Sequence, residues 1–450
     1  MKDPNNETKP APVAVTPQQA GAARDRWWWV ERCVWTDRML TRLATSEAAD
    51  RVWFRLVDKT YAPANLQSAF QKVWRNGGSA GADEQTVAHF ARQKEAELQR
   101  LHEQLREGVY EPQPVRRAWI AKPGSREKRP LGIPVVRDRI VQGALRHVLE
   151  PIFETEFAEQ SYGFRPGCGA KDALRRVDTL LKAGHDWVVD ADLKSYFDTI
   201  PHERLMALLK ERVADGRVLA LVERFLSAGV LEEAKGWQPT ERGTPQGGVI
   251  SPLLANVYLN PLDQLMVKAG WAMVRYADDF VILCRSEAEA QTAMAAVRIW
   301  VNEAGLTLHP EKTRIVNATQ PGGFDFLGYH FERGHRWPRK KSLGKLKERV
   351  RAKTSRVDGR SLSAIVADVN RTMRGWYGYF QHSKANTFTA EDGYVRRRLR
   401  SLLEKRRGRT RQGLGSAQAR WPNEWFARRG LLSLAAEHEW TWTIAAMRTH

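Results

Sequence analysis

Cysteine is nearly missing from this chain: among its 450 residues only Cys33, Cys168 and Cys284 occur. They stand far apart with no paired spacing, which excludes a disulfide framework and a Cys-x-x-Cys zinc site and fits a reducing cytoplasm. Long apolar runs are missing as well. No stretch approaches the roughly 18 apolar residues of a membrane span, and the opening MKDPNNETKPAPVAVTPQQAG lacks the apolar core of an export signal. A soluble, cytoplasmic protein with no membrane partner is therefore expected. Acidic residues become scarce late in the chain: from Arg336 onward 9 Asp/Glu face 27 Lys/Arg, whereas residues 1–335 hold 43 and 45. A nearly neutral body thus carries a basic final quarter, the footprint of a polyanionic partner and most simply of nucleic acid.

What is present points to a folded protein, with 42% apolar and 9% aromatic residues, enough to fill a core. Residues 1–23 are rich in Pro, Ala, Asn and Gln and read as a disordered leader. Residues 24–64 form an N-terminal helical element in which RDRWWWVERCVW places four tryptophans together. From Asn65 to Arg336, helical periodicities alternate with a few strands, an α+β pattern. VRRAWIAKPGSREKRPLGIP reads as strand, basic turn, strand; WVVDADLKSYFDTI as a buried strand ending in a turn; and MVRYADDFVILC as a hairpin. A basic helical domain is expected over 337–412 and an extension over 413–450. The aromatics of RGWYGYF and RWPNEWF, interleaved with charge, are suited either to stacking on bases or to a core.

The chemistry sits in carboxylates that an apolar setting makes costly. Asp192 ends the strand WVVDAD, and Asp190, two residues earlier, points to the same face. Asp278 and Asp279 lie adjacent at the crest of the hairpin. Carboxylates brought together repel and raise one another's pKa unless cations sit among them. Oxygen donors of this kind suit Mg²⁺, which keeps several waters and takes one or two carboxylates plus substrate phosphates. Two such ions clamp an in-line phosphoryl displacement, so nucleotidyl transfer is the reaction these residues suggest. Lys122 and Arg129 flank a glycine turn and can fold two cations over a triphosphate. Gln246 and Gly247 lie in GTPQGG, where glycine permits close backbone approach. Phe197 is placed either to lie under a sugar and exclude a 2′-hydroxyl or to fill the core.

IAKPGSREKRPLGIP, SYGFRPG, DADLKSYFDTI, GTPQGGVISPLLANVYL, RYADDFVIL, LTLHPEKTRIV and FDFLGY follow one another as do the reverse transcriptase blocks of bacterial group II intron-encoded proteins, which the chain resembles from about Asn65 to Gly328. Beyond them, RGWYGYF and YVRRRLRSLLEKRRGR resemble the thumb/maturase domain of that family. The resemblance implies a right-hand polymerase fold, with fingers, a palm whose antiparallel sheet carries the YADD hairpin, and a helical thumb/maturase domain. It implies that Asp192, Asp278 and Asp279, and not Asp190, hold two Mg²⁺ ions, with Mn²⁺ as the alternative. Lys122, Arg129, Gln246 and Gly247 then meet the incoming nucleotide, and Phe197 is the sugar gate. Lys312 is expected at template or nucleotide, and Arg396, Arg397, Arg398 and Arg400 on RNA. The implied partners are group II intron RNA, an RNA template with a DNA primer, dNTPs and target DNA, and the implied work is target-primed reverse transcription with assistance to splicing.

Departures are few: Ala121 replaces a frequent Pro, Leu193 a frequent Ile, and Ser195-Tyr196 stands where Gly is common. No paired cysteines of an HNH endonuclease follow Cys284, which implies that second-strand cleavage is not this chain's task. Two other readings stay open at this level. One is a non-enzymatic RNA-binding splicing factor on a polymerase scaffold, and the other is a reverse transcriptase recruited to host defence or another element.

Overall fold

The computed structural model describes residues 26–44, 52–121, 128–408 and 414–447. The leader expected over 1–23, and Lys122, lie outside the described residues. The chain divides into two compact units, one built from Ala20–Leu180 and Trp187–Ile315, the other from Leu181–Asp186 and Val316–His450. Trp337, near which the charge changes, lies inside the second unit. Among the described residues no helix is long and apolar enough to cross a membrane.

Strands are numbered in chain order: β1 (Val115–Ala121), β2 (Lys128–Ile133), β3 (Trp187–Asp192), β4 (Val230–Glu232), β5 (Gly236–Gln238), β6 (Ala272–Tyr276), β7 (Asp279–Cys284), β8 (Arg314–Asn317), β9 (Phe324–Phe326), β10 (Tyr329–Glu332) and β11 (His335–Pro338). Among the described residues they form three sheets, with orders β2-β1-β4-β5, β6-β7-β3-β8 and β11-β10-β9. In the second of these, β3 and β6 both run antiparallel to β7. That pairing follows from apolar content. Val188, Val189, Ala191, Phe280, Val281, Ile282 and Leu283 are all buried, so β3 and β7 are covered on both faces.

The core of the first unit is organised on helix Val136–Glu154, whose Ile140, Val141, Ala144, Leu145 and Val148 are fully buried. Helix Gly216–Ser227 starts where it does because the Asp215 carboxylate accepts from Arg217 N and Val218 N at 3.1 and 3.2 Å, which satisfies orphan donors of the first turn. Its other oxygen accepts from Leu56 N and Val57 N, so one buried carboxylate starts a helix and ties down the N-terminal segment. Trp35 is fully buried and donates from Nε1 to His147 O at 3.0 Å. Trp28 is exposed.

The second unit packs helices Lys340–Lys353, Leu362–Phe380 and Asn386–Arg406 around Val350, Ile365, Val369, Met373, Phe388, Val395 and Leu399. Asp392 accepts from Ser433 Oγ, Leu434 N and Ala435 N, and so caps helix Leu434–Met447 from a neighbouring helix. The rings of RGWYGYF and RWPNEWF turn inward for the most part. Tyr377, Phe380, Trp421 and Phe426 are buried and Trp376 lies 4.9 Å from Phe380, so packing accounts for these rings, while Tyr379 and Trp425 are half-buried.

Candidate active site

The crest of the β6–β7 hairpin is a two-residue turn, Ala277-Asp278, between the paired Tyr276 and Asp279. Ala277 has φ +60°, the left-handed value that a tight hairpin asks of its first turn residue and that glycine meets most cheaply. On the neighbouring strand Asp192 is the direct partner of Asp279. Cross-strand partners share a face with Cβ atoms about 4.5–5.5 Å apart, so Asp192 and Asp279 face the same side, with Asp278 beside them.

Burial pushes the Asp278 carboxyl above the usual carboxylate range, and nearby Asp192 pushes it further, against the pull of Lys312 and Arg275. Among the described residues no three His, Cys, Asp or Glu side chains are gathered tightly enough to hold a metal ion. The expected three-carboxylate cage is therefore not closed. Lys312 Nζ instead lies 2.6 Å from Asp192 Oδ2, with the lysine side chain 59% and the aspartate 28% exposed. Asp192 thus pairs with an ammonium, and its oxygen donors are of the kind Mg²⁺ takes. Oxygen donors of this type suit the ion, but among the described residues they are not gathered into a closed site. Asp190, on the same face of β3, is engaged by Arg314 at 3.5 Å.

The turn is braced from beneath by a residue that sequence reading left unassigned. Arg275 is 0% exposed and directs all its guanidinium donors to acceptors. Nε and Nη2 grip the two oxygens of Asp263, itself fully buried; Nη1 donates to Asn256 Oδ1 at 3.1 Å and to Ala277 O at 2.8 Å; and Nη2 also donates to Ser161 Oγ at 2.7 Å. Burial works against the Arg275 charge, but Asp263 more than offsets it, and the guanidinium is held above its ordinary range. SYGFRPG, unassigned until now, supplies the rest. Asn256 Nδ2 donates to Gly163 O at 2.8 Å, and a Cβ on Gly163 would lie 2.2 Å from Ala277 N, so only glycine lets this segment back the turn. A lone arginine in the apolar run AMVRYADDFVILC was the available signal.

Phe197 is half-buried and packs against Tyr196 and Phe164, with centroids 5.6 and 6.2 Å away. Ser195 has φ +50°, which explains a glycine preference there. Thr244 N donates to Phe197 O at 2.7 Å and Gly132 N to Gln246 O at 2.7 Å, so the GTPQGG loop links the Phe197 turn to β2. Gly247, at φ +121°, leaves no space for a Cβ, which would meet Gly132 O at 2.3 Å. Arg129 pairs with Ile120 across β1 and β2 and is exposed.

The arginine run divides. Arg397 is exposed and Arg396 half-buried. Arg398 is committed to Thr354 Oγ1 and Thr354 O. Arg400 is buried, donates to Trp421 O and Asn423 Oδ1 at 2.9 Å each and lies over the Phe426 ring. Helix Asn386–Arg406 turns Arg400 inward, away from the surface where an RNA contact was expected, and burial there lowers its pKa.

The mixed α/β fold is that of a reverse transcriptase domain, as the match over residues 120–331 shows. Residues 120–331 match the family described as "Reverse transcriptase (RNA-dependent DNA polymerase)" and residues 343–421 the "Group II intron, maturase-specific domain". Group II intron-encoded protein LtrA of Lactococcus lactis subsp. cremoris is 31% identical over 375 residues, covering 68% of this chain and 61% of that protein. Protein YkfC of Escherichia coli (strain K12) is 36% identical over 276 residues, covering 53% of this chain and 71% of that protein. The chain belongs to the family of group II intron-encoded reverse transcriptase/maturases. It spans less than two thirds of the length of LtrA.

Proposed function

We propose that the chain is an RNA-directed DNA polymerase that binds group II intron RNA to assist its splicing and copies RNA into DNA from a target-DNA primer. The observation that carries this reading is the pairing of Asp192 with Asp279, next to Asp278, at an end of the sheet where a cation is already drawn in. In this reading the sheet β6-β7-β3-β8 is the palm, β1 and β2 belong to the fingers, and the basic helices of the second unit are the thumb/maturase domain.

Asp192, Asp278 and Asp279 would hold two Mg²⁺ ions, which when bound favour ionisation of the primer 3′-hydroxyl and offset charge on the leaving pyrophosphate. Arg129, with Lys122, grips the triphosphate of the incoming dNTP. The Gln246-Gly247 backbone, fastened to β2, presents the nucleotide to the Phe197 ring, which excludes a 2′-hydroxyl. Lys312 leaves Asp192 when the site is loaded and turns to nucleotide or template. Arg396 and Arg397 meet RNA phosphates.

The purified chain should extend a DNA primer on an RNA template with dNTPs and Mg²⁺, and should stop when the ion is chelated. Retained binding of intron RNA without any extension would leave a splicing factor on a polymerase scaffold and overturn the enzymatic reading.

A further inference from the structure

Phe164, in SYGFRPG, combines two features that packing does not reward. Its ring is 42% exposed, and its φ of +61° is a left-handed conformation that is a genuine outlier for a bulky residue. Both neighbours are fixed. Gly163 is pressed against the backbone of Ala277, and its carbonyl accepts from Asn256. Arg165 donates to Ala158 O and Ser161 O and pairs with Glu154 at 2.7 Å. The chain is thus held so that the strained residue's ring stands clear of the core and meets the Phe197 ring, centroids 6.2 Å apart and planes at 79°. Strain retained at such a place is the mark of a functional constraint.

We propose that Phe164 is a specificity-determining positioning residue: its ring edge backs Phe197 and limits how far that ring can retreat from an incoming sugar. This rests on the reading of Phe197 as the sugar gate. Phe197 is the wall that a 2′-hydroxyl meets, and Phe164 is what keeps the wall upright. A gate free to tilt admits the extra oxygen, so losing Phe164 should open the site to ribonucleotides while deoxynucleotide use is little altered.

The test compares dNTP and rNTP incorporation by the full chain and by F164G, F164L, F197A and F164G/F197A on one primed RNA template. F197A should relax sugar discrimination by about 100-fold, within the range a single steric contact supplies. F164G should relax it by about 5- to 10-fold, through a lower KM for rNTP with kcat and KM for dNTP held within about 2-fold, because the gate is loosened and not removed. F164L should restore most of the discrimination. The double variant should match F197A alone, since a residue that acts only through Phe197 adds nothing once Phe197 is gone. The melting temperature of F164G should equal or exceed that of the wild type, because glycine adopts the left-handed conformation freely. Relaxed discrimination in F197A with an unchanged ratio in F164G overturns the role of Phe164 and leaves the gate standing. An unchanged ratio in F197A overturns the gate reading itself. Equal loss of dNTP and rNTP incorporation in F164G, with a lower melting temperature, reduces Phe164 to a structural residue and refutes the proposal.

Discussion

Arg275→Met removes the brace under the Ala277-Asp278 turn, and its consequences can be worked out from the groups left behind. Arg275 and Asp263 are both 0% exposed, so the substitution would strand a carboxylate without its ion-pair partner and shut off from solvent. Asn256 Oδ1, Ser161 Oγ and Ala277 O would each lose a donor. Breaking a buried pair by deleting one partner costs about 3–5 kcal/mol, a large share of the roughly 5–15 kcal/mol that holds a domain together. Urea unfolding of R275M should show a deficit of that size. The deficit should also depend on pH in one direction. Complete burial pushes the Asp263 carboxyl up, and Arg275 pulls it down; without Arg275 the folded-state pKa rises further above the unfolded value. A group of that kind contributes stability at pH below its unfolded pKa and loses it as pH rises through the folded pKa. R275M should therefore be closer to wild type at pH 5 than at pH 8. A second variant, D263L/R275M, should recover most of the stability, because apolar groups replace a buried pair at little cost. Primer extension should stay depressed, since nothing then holds the Ala277 carbonyl. A deficit under about 1 kcal/mol in R275M, or full extension by the double variant, would mean that Arg275 does not brace the turn.

Lys312→Gln should tighten Mn²⁺ binding, read by electron paramagnetic resonance without any turnover, by roughly 5-fold, the equivalent of the ~1 kcal/mol upper value for a solvent-exposed pair; unchanged affinity would mean that Lys312 does not compete for Asp192. His147 is buried, with Nδ1 2.7 Å from Asn65 Oδ1 and Nε2 2.9 Å from Lys72 Nζ. Burial, followed by the Lys72 charge, lowers its pKa to about 4. Its contribution to stability should be whole above about 6.5 and fall away as pH drops toward about 4, and an imidazole titrating near 6.5 by NMR would contradict this. Neutralising Arg396 and Arg397 should weaken RNA binding and flatten its salt dependence by roughly 1.4 in the log–log slope, two phosphate contacts at about 0.7 each. Arg400→Gln should lower the melting temperature and leave that slope unchanged.

The carboxylates were legible in the sequence because charge inside apolar strands is costly and stands out against them. Period-two alternation set Asp190 and Asp192 on one face but could not separate them. Each meets its own cation in the fold, Arg314 for one and Lys312 for the other, and both cations arrive from a segment more than a hundred residues away. The Arg275 brace was hidden for a similar reason. Its partner Asp263 lies on a helix, and its grip on the turn runs through a backbone carbonyl, which carries no side-chain signature. RRRLR looked like one basic surface because a run of like charges does not mark which turns of a helix face inward. The core of the second unit decided that, taking Arg400 and leaving Arg397 outside. The aromatic segments of the basic quarter were equally ambiguous, since rings that stack on bases and rings that fill a core have the same composition.

The proposed site of nucleotidyl transfer is Asp192, Asp278 and Asp279, and not Asp190. Mg²⁺-dependent extension of a DNA primer on an RNA template, measured side by side for D190N, D192N, D278N and D279N, tests it most directly. A loss of about 10²–10³-fold or more is expected in the last three, as for removal of groups that stabilise transition-state charge, with D190N near wild type. Wild-type extension by D278N, or a loss in D190N equal to that in D192N, would contradict it.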